Sequence, residues 1–240
     1  MTFNASIRLN SVQFKKGVAD VQKSIKSLQR SFLSLSSAIG LGLSFQRLGA
    51  SMLDAASKMS DAKDVLTNAS KGVREYGESL EWLRKVSNEY GQDLTENIKS
   101  FAQLRQAAKY SKLSIEEVRD IYQSLARAAG AYNLSADKTN GIMRTVGQML
   151  SKGAINSERY VRQLNTALPG AYNMMAQAAY NAGLITENSV EALEKAIKDG
   201  KIMADQVLPS FSKVLNDVTS NATFDTLLTR GKTSIWNKIM

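Results

Sequence analysis

Apolar and polar residues alternate over the first ten positions, where Phe3, Ala5, Ile7 and Leu9 are separated by Asn4, Ser6, Arg8 and Asn10. A period of two puts the apolar side chains on one face, so the pattern predicts a short, half-buried strand. It is the one clear strand signal in the chain. A strand with no ladder partner of its own is either frayed or pairs with another chain.

From Val18 the period lengthens. Val18, Val21, Ile25, Leu28, Phe32 and Leu35 follow steps of 3, 4, 3, 4 and 3 residues, the a/d spacing of a helix that packs along a narrow seam. Lys15, Lys16, Lys23, Lys26 and Arg30 lie off that seam. It suits either a coiled-coil partner or the face of an ordinary amphipathic helix. Gly40 and Gly42, among Ser36, Ala38 and Ser44, permit a bend next. Met52, Ala55, Met59, Ala62, Leu66 and Ala69 then repeat the narrow spacing, which predicts an antiparallel helical hairpin over 12–70.

Beyond residue 77 the helices become short and punctuated. Leu80, Leu83 and Val86 mark one that Gly91 stops, and Ile98, Phe101 and Ala102 mark the next. Ser114 and Glu117 form a capping-box pair ahead of Val118, Ile121, Tyr122 and Leu125, with Leu113 placed as a staple and Gly130 expected as a left-handed cap. Leu134-Ser135 opens another helix, with Asp137 in its first turn, Ile142, Met143, Val146 and Met149 inward and an end near Gly153. Ile155, with Asn156 or Ser157, opens a third that carries Tyr160, Val161 and Leu164. It must finish near Leu168, because the residue before a proline is pushed out of the helical region. Pro169 is then expected in the first turn of a helix over about 170–182, showing Tyr172, Met175, Ala176 and Ala179 and ending at Gly183.

Two segments echo one another. "KGAINSE" (152–158) and "DGKIMAD" (199–205) share glycine, a residue, isoleucine, two residues and an acid, and each leads to a Leu-Pro, at 168–169 and 208–209. Two turns of similar build are expected, each tied to a proline-interrupted helical segment. The whole pattern predicts an all-α chain in three parts. A short strand and a partly coiled-coil-like helical hairpin form an arm at 1–75, a compact bundle of short helices spans 76–218, and a tail at 219–240 leads into further sequence.

Composition narrows the function. Cysteine and histidine are both absent, which removes thiolate and histidine-based catalysis and the zinc sites built on those ligands. No disulfide can brace the fold, so stability comes from packing. The formal charge of +9 is uneven: residues 1–60 hold eight Lys/Arg against two Asp, or +6, and 61–240 hold twenty-three against twenty, or +3. The basic arm suits an acidic partner, whether nucleic acid, anionic lipid or protein. No signal-peptide pattern opens the chain. The longest uncharged run, Ser31 to Gln46, has sixteen residues, five of them serine, and falls short of the roughly 20 apolar residues of a spanning helix; it reads as a buried or partner-packing helix.

Candidate chemistry is sparse. The glycines fall singly, with no phosphate loop, dinucleotide fingerprint or EF-hand loop. Glu75, Glu78 and Glu81 cluster at helical spacing, but Lys71, Arg74, Arg84 and Lys85 flank them, so a solvated, salt-bridged face is the preferred reading. Met174 and Met175 read as core filling rather than an adaptable groove. Phe14, Phe32 and Phe45 fit apolar faces rather than a platform for stacking bases. No catalytic, cofactor or metal site is expected, and the chain reads as a non-enzyme.

The run "NLSADKTNGIMRTVGQMLSKGAINSERYVRQLNTALPGAYNMMAQAA", Asn133 to Ala179, resembles the amino-terminal conserved region of tape measure proteins of tailed bacteriophages and prophages. Its most specific marks are Ser151, Lys152, Gly153, Ile155, Glu158, Gln163, Leu164, Leu168, Pro169, Gly170 and Ala171. "ASIRLNSVQFKKGV", "GQDLTENIKSFAQLRQAAKYSKLSIEEVRDIYQSLARAAGAY" and "VEALEKAIKDGKIMADQVLPSF" extend the likeness over about 1–215.

That resemblance implies a structural protein that is mostly helical, lies in the lumen of the tail tube after assembly in the host bacterial cytoplasm, sets tail length and leaves when DNA is delivered. It also implies tail tube proteins, tail tip or baseplate proteins and tail assembly chaperones as partners. The long unbroken helix of a ruler is missing from these residues, so the chain is expected to be an amino-terminal part of a longer protein or a short relative. Phe3, Ile7, Leu9, Val18, Val21, Ile25, Leu28, Phe32 and Leu35 are the candidate association surface, with a homo-oligomer expected. A membrane-active or non-specific DNA-binding helical protein is the alternative.

Overall fold

The computed structural model describes residues 42–155 and 158–220, with side chains from Leu53 on. The expected strand carrying Phe3, Ile7 and Leu9, the seam from Val18 through Val21, Ile25, Leu28 and Phe32 to Leu35, the bend at Gly40, and the tail beyond Ser220 lie outside the described residues. The chain divides into two units, Met1–Ser60 and Asp61–Met240.

Among the described residues the structure is helical, as the periodicity predicts. Helix α1 runs Gly42–Ala69 and crosses the division between the units. In the second unit follow α2 (Val73–Tyr90), α3 (Leu94–Ala107), a 3-10 turn at Ala108–Tyr110, α4 (Ile115–Ala131), α5 (Ala136–Lys152), α6 (Glu158–Ala167), α7 (Ala171–Asn181), α8 (Val190–Lys198) and α9 (Ala204–Thr219). Of the second seam, Ala62 and Leu66 are buried.

The starts are set by side-chain caps. Asp93 accepts from the Glu96 amide at 2.9 Å, Ser135 from Lys138 at 3.4 Å and Ser189 from Ala192 at 3.1 Å, each satisfying one orphan donor of a first turn. At α4 both arms of the capping box form: Ser114 Oγ accepts from Glu117 N at 3.2 Å, and the Glu117 carboxylate accepts from Ser114 N at 2.8 Å.

Three expectations need correction. Gly130 does not cap α4. The helix continues to Ala131, and the left-handed residue is Asn133, at φ 50°. Leu134 N–H bonds to Ala129 O at 2.9 Å and Asn133 N–H to Gly130 O at 3.1 Å, the paired bonds of a Schellman ending. Asparagine tolerates that backbone region, so the glycine three residues earlier is free to remain helical.

Nor does Pro169 enter the first turn of α7. It stands in a four-residue turn from Leu168 to Ala171, closed by Ala171 N–H to Leu168 O at 3.0 Å. Gly170 there has φ 85° and ψ 4°, the third-residue geometry of a type II turn, which favours proline in the second place. Proline and glycine therefore act as one unit, and the helix begins only at Ala171.

The third correction concerns Pro209, which does not interrupt a helix. It lies inside the continuous α9, as its sixth residue. A proline there lacks the N–H that would bond to the carbonyl four residues back, a cost that buried neighbours on both sides, Leu208 and Phe211, offset by packing.

α9 is central. It packs against α4 and α7 and also touches α5, while α5 pairs with α3 and α6, and α7 with α6 and α8. Val207, Leu208, Phe211 and Leu215 of α9 are buried with Val118, Ile121 and Leu125 of α4 and Met175 and Ala179 of α7. Ser212 Oγ donates to Asp120 O at 3.1 Å, and Arg127 donates to Thr219 O at 3.3 Å, so α4 and α9 are tied at the middle and the end of α9.

Candidate functional site

The residues singled out from the sequence between 152 and 171 gather around a junction of loops. α5 ends at Lys152, Gly153 turns the chain with φ 75°, and Ile155 is fully buried. The second segment does the same: α8 ends at Lys198, Gly200 has φ 68°, and Ile202 is fully buried.

These two segments meet. Ala154 and Met203 form an antiparallel bridge, with Ile155 N–H donating to Ile202 O at 2.7 Å and Ala204 N–H to Gly153 O at 2.7 Å. The echo in the sequence is thus a physical pairing, in which each turn supplies one buried isoleucine and one short strand edge to the other.

Glu158, the first residue of α6, reinforces the junction. Its carboxylate stands 3.3 Å from Lys198 Nζ at the end of α8 and 3.7 Å from Arg162 within its own helix, and a carboxylate also suits the positive start of a helix. Tyr172 Oη donates to Glu158 O at 3.5 Å. Leu164, Leu168 and Ala171 are fully buried, and the Pro169-Gly170 turn that joins them is exposed. Nothing in the structure explains Gln163, which faces solvent.

A second cluster joins α2, α3 and α4. Trp82, Phe101 and Tyr122 form a ring triad with centroids 5.1, 5.8 and 5.4 Å apart. The Tyr122 hydroxyl is buried within reach of Asn97 Oδ1 at 2.9 Å and Ser100 Oγ at 3.1 Å, and Asn97 Nδ2 donates to Ser87 Oγ at 2.8 Å. Burial pushes the Tyr122 phenol well above its usual range. It stays protonated and serves as a hydrogen-bonding strut.

Beside it, Arg105 Nε donates to Glu75 Oε1 at 2.8 Å, with side chains only 7% and 15% exposed. Burial raises the Glu75 carboxyl, but the Arg105 hydrogen bond and charge, with Lys71, leave it below its ordinary value. The solvated face expected for Glu75, Glu78 and Glu81 therefore holds for two of the three. Glu78 and Glu81 pair in solvent with Arg74 at 2.8 Å and Lys85 at 3.6 Å, while Glu75 turns inward. Arg105 and Arg119, which donates to Ser79 at 3.0 Å and lies 5.9 Å from the Trp82 ring, carry this network. Sequence periodicity overlooks both, although Arg105 follows Ile98 and Phe101 at helical spacing on α3.

Met174 and Met175 are buried, as expected of core fillers. Among the described residues no group of side chains could hold a metal ion, and no helix is long and apolar enough to cross a membrane. The candidate association surface lies outside the described residues.

The described residues thus form a packed helical body with a bridged junction. The chain belongs to the tape measure protein family, whose description matches residues 50–234, a family of structural proteins of bacteriophage tails. Over 136 residues the chain is 28% identical to a "Probable tape measure protein" of Salmonella phage Felix O1 (isolate Felix O1-VT1), an alignment that covers 57% of this chain and 17% of that relative. The chain thus spans under a fifth of the relative's length. No solved structure matches it.

Proposed function

We propose that the chain is the amino-terminal part of a tail tape measure protein, acting in tail assembly and length determination and in genome delivery, with its helical body as an end-piece rather than the ruler. The supporting observation is the family match combined with the size of the pieces. A helix advances about 1.5 Å per residue, and α2 to α9 run from 9 to 18 residues, broken by turns such as Pro169-Gly170. Such a body anchors and contacts; it does not measure.

On this reading the protein occupies the tube lumen of the virion tail, and host cytoplasm before that. Its partners are tube proteins, tip or baseplate proteins, assembly chaperones and further copies of itself, engaged through the basic arm. The test is an in-frame deletion of 76–218 in a phage that carries the gene, read by electron microscopy of particles. Loss of complete tails is expected; normal tails with normal infectivity would overturn the proposal. Deleting 1–35 tests the arm separately, with loss of self-association expected in sedimentation of the purified chain. Salt-sensitive binding of the intact chain to duplex DNA or anionic vesicles, together with normal tails from the deletion phage, would favour the membrane or DNA reading.

A further inference from the structure

α3 and α5 run side by side in the same direction. Asn140 reaches Glu96 at 3.4 Å near their starts, and a Cβ placed on Gly147 would stand 3.7 Å from the Ala107 Cβ farther along. Around that close approach the helices leave a cleft of about 240 Å³. It is smaller than the roughly 300 Å³ at which small-molecule pockets begin, and it suits one or two inserted side chains.

Its floor is apolar, with Leu104 and Met143 buried between the helices. Its rim is cationic. Arg144 and Lys152 line it and are exposed, and neither belongs to an ion pair among the described residues. In the 3-10 turn beside it, Tyr110 is 92% exposed with Lys109 Nζ 5.8 Å from its ring. The acids of these two helices, Glu96 and Asp137, stand in the first turns at the other end. Asp205, which faces the Lys112 amide at 3.5 Å, is the carboxylate next to this turn.

We propose that this groove binds an acidic protein segment, which inserts an apolar side chain between Leu104 and Met143 while its carboxylates meet Arg144 and Lys152. Charge complementarity selects the acidic partner, and the apolar floor selects protein. A phosphate backbone engages only the rim, and a cleft recessed between two helices is closed to the flat surface of a bilayer. A second copy of this chain, at +9, brings no net acidic charge to this rim. Occupancy of the groove does not depend on the tail role proposed above.

The test uses the full chain and a fluorescent glutamate-rich peptide bearing a leucine pair, followed by anisotropy. Binding is expected to weaken at least about tenfold when Arg144→Glu and Lys152→Glu are combined, and comparably when the peptide leucines become serine. The control pair Lys138→Glu and Lys213→Glu, equal in charge and exposed elsewhere, should leave it within about twofold. Circular dichroism verifies that both variants fold. Absence of binding, equal losses from the control pair, or indifference to the leucines each overturn the proposal. So does tighter binding of duplex DNA or anionic vesicles that depends on Arg144 and Lys152.

Discussion

Gly170 shows how one backbone angle governs a connection. At φ 85° a Cβ is strained, so Gly170→Ala is expected to destabilise the body by about 1–2 kcal/mol, read as a lower urea midpoint. Pro169→Ala should cost less, about 0.5–1 kcal/mol, since it only loosens the unfolded chain. Glu75 supplies a pH signature. Its folded carboxyl titrates below the ordinary 4.5, so the Arg105 pair contributes in full above about pH 5 and is lost as pH falls through the folded value. Glu75→Gln should therefore narrow the stability difference between neutral and acid conditions, measured by denaturant melts at each pH; an unchanged difference would deny the pair that role. The proline-glycine pair is visible in the sequence as a break. Its geometry is not, because a proline suits both a helix start and a turn, and only the angle adopted by the next residue decides.

At the scale of elements, local chemistry was legible wherever a side chain satisfies its own backbone. Ser114 with Glu117, Ser135, Gly91 and Gly183 mark real boundaries, and the apolar spacings of α4 and α5 mark their buried faces. Ser114→Ala is accordingly expected to cost about 1 kcal/mol, with thermal melting as the measure. Competition between neighbours was harder to read. Gly130 lies three residues before an asparagine equally able to turn the chain, and the choice between them depends on which carbonyls Leu134 and Asn133 can reach. α8 carries a Ser189 cap and a buried Leu193–Ile197 pair at helical spacing, a signal present in the sequence but short enough to pass unassigned. Glu75 is a different case. Its partner lies thirty residues away, beyond any periodicity, so the inward turn of one glutamate out of three follows from tertiary packing alone.

Across the whole body, the pairing of 153–155 with 202–204 links two helical halves that sequence alone connects only through α6, α7 and α8. Ile155→Ala and Ile202→Ala should each destabilise by about 2–5 kcal/mol. Their double-mutant cycle should show coupling of about 0.5–3 kcal/mol; strict additivity would mean that the two turns are held independently. The resemblance in sequence located this region, and the repeated glycine–isoleucine spacing hinted at similar turns. That the turns touch is a three-dimensional fact no local pattern encodes.

The direction of that bridge has a mechanical consequence. Its two edges are antiparallel, and the chain enters through Gly153 and leaves through Ala204, which are bonded to each other. Separation of Gly153 from Ala204 therefore loads the bond between them first and that between Ile155 and Ile202 only afterwards. The junction opens like a zipper, bond by bond, rather than shearing all at once. A force applied across those two entry points thus meets one hydrogen bond at a time.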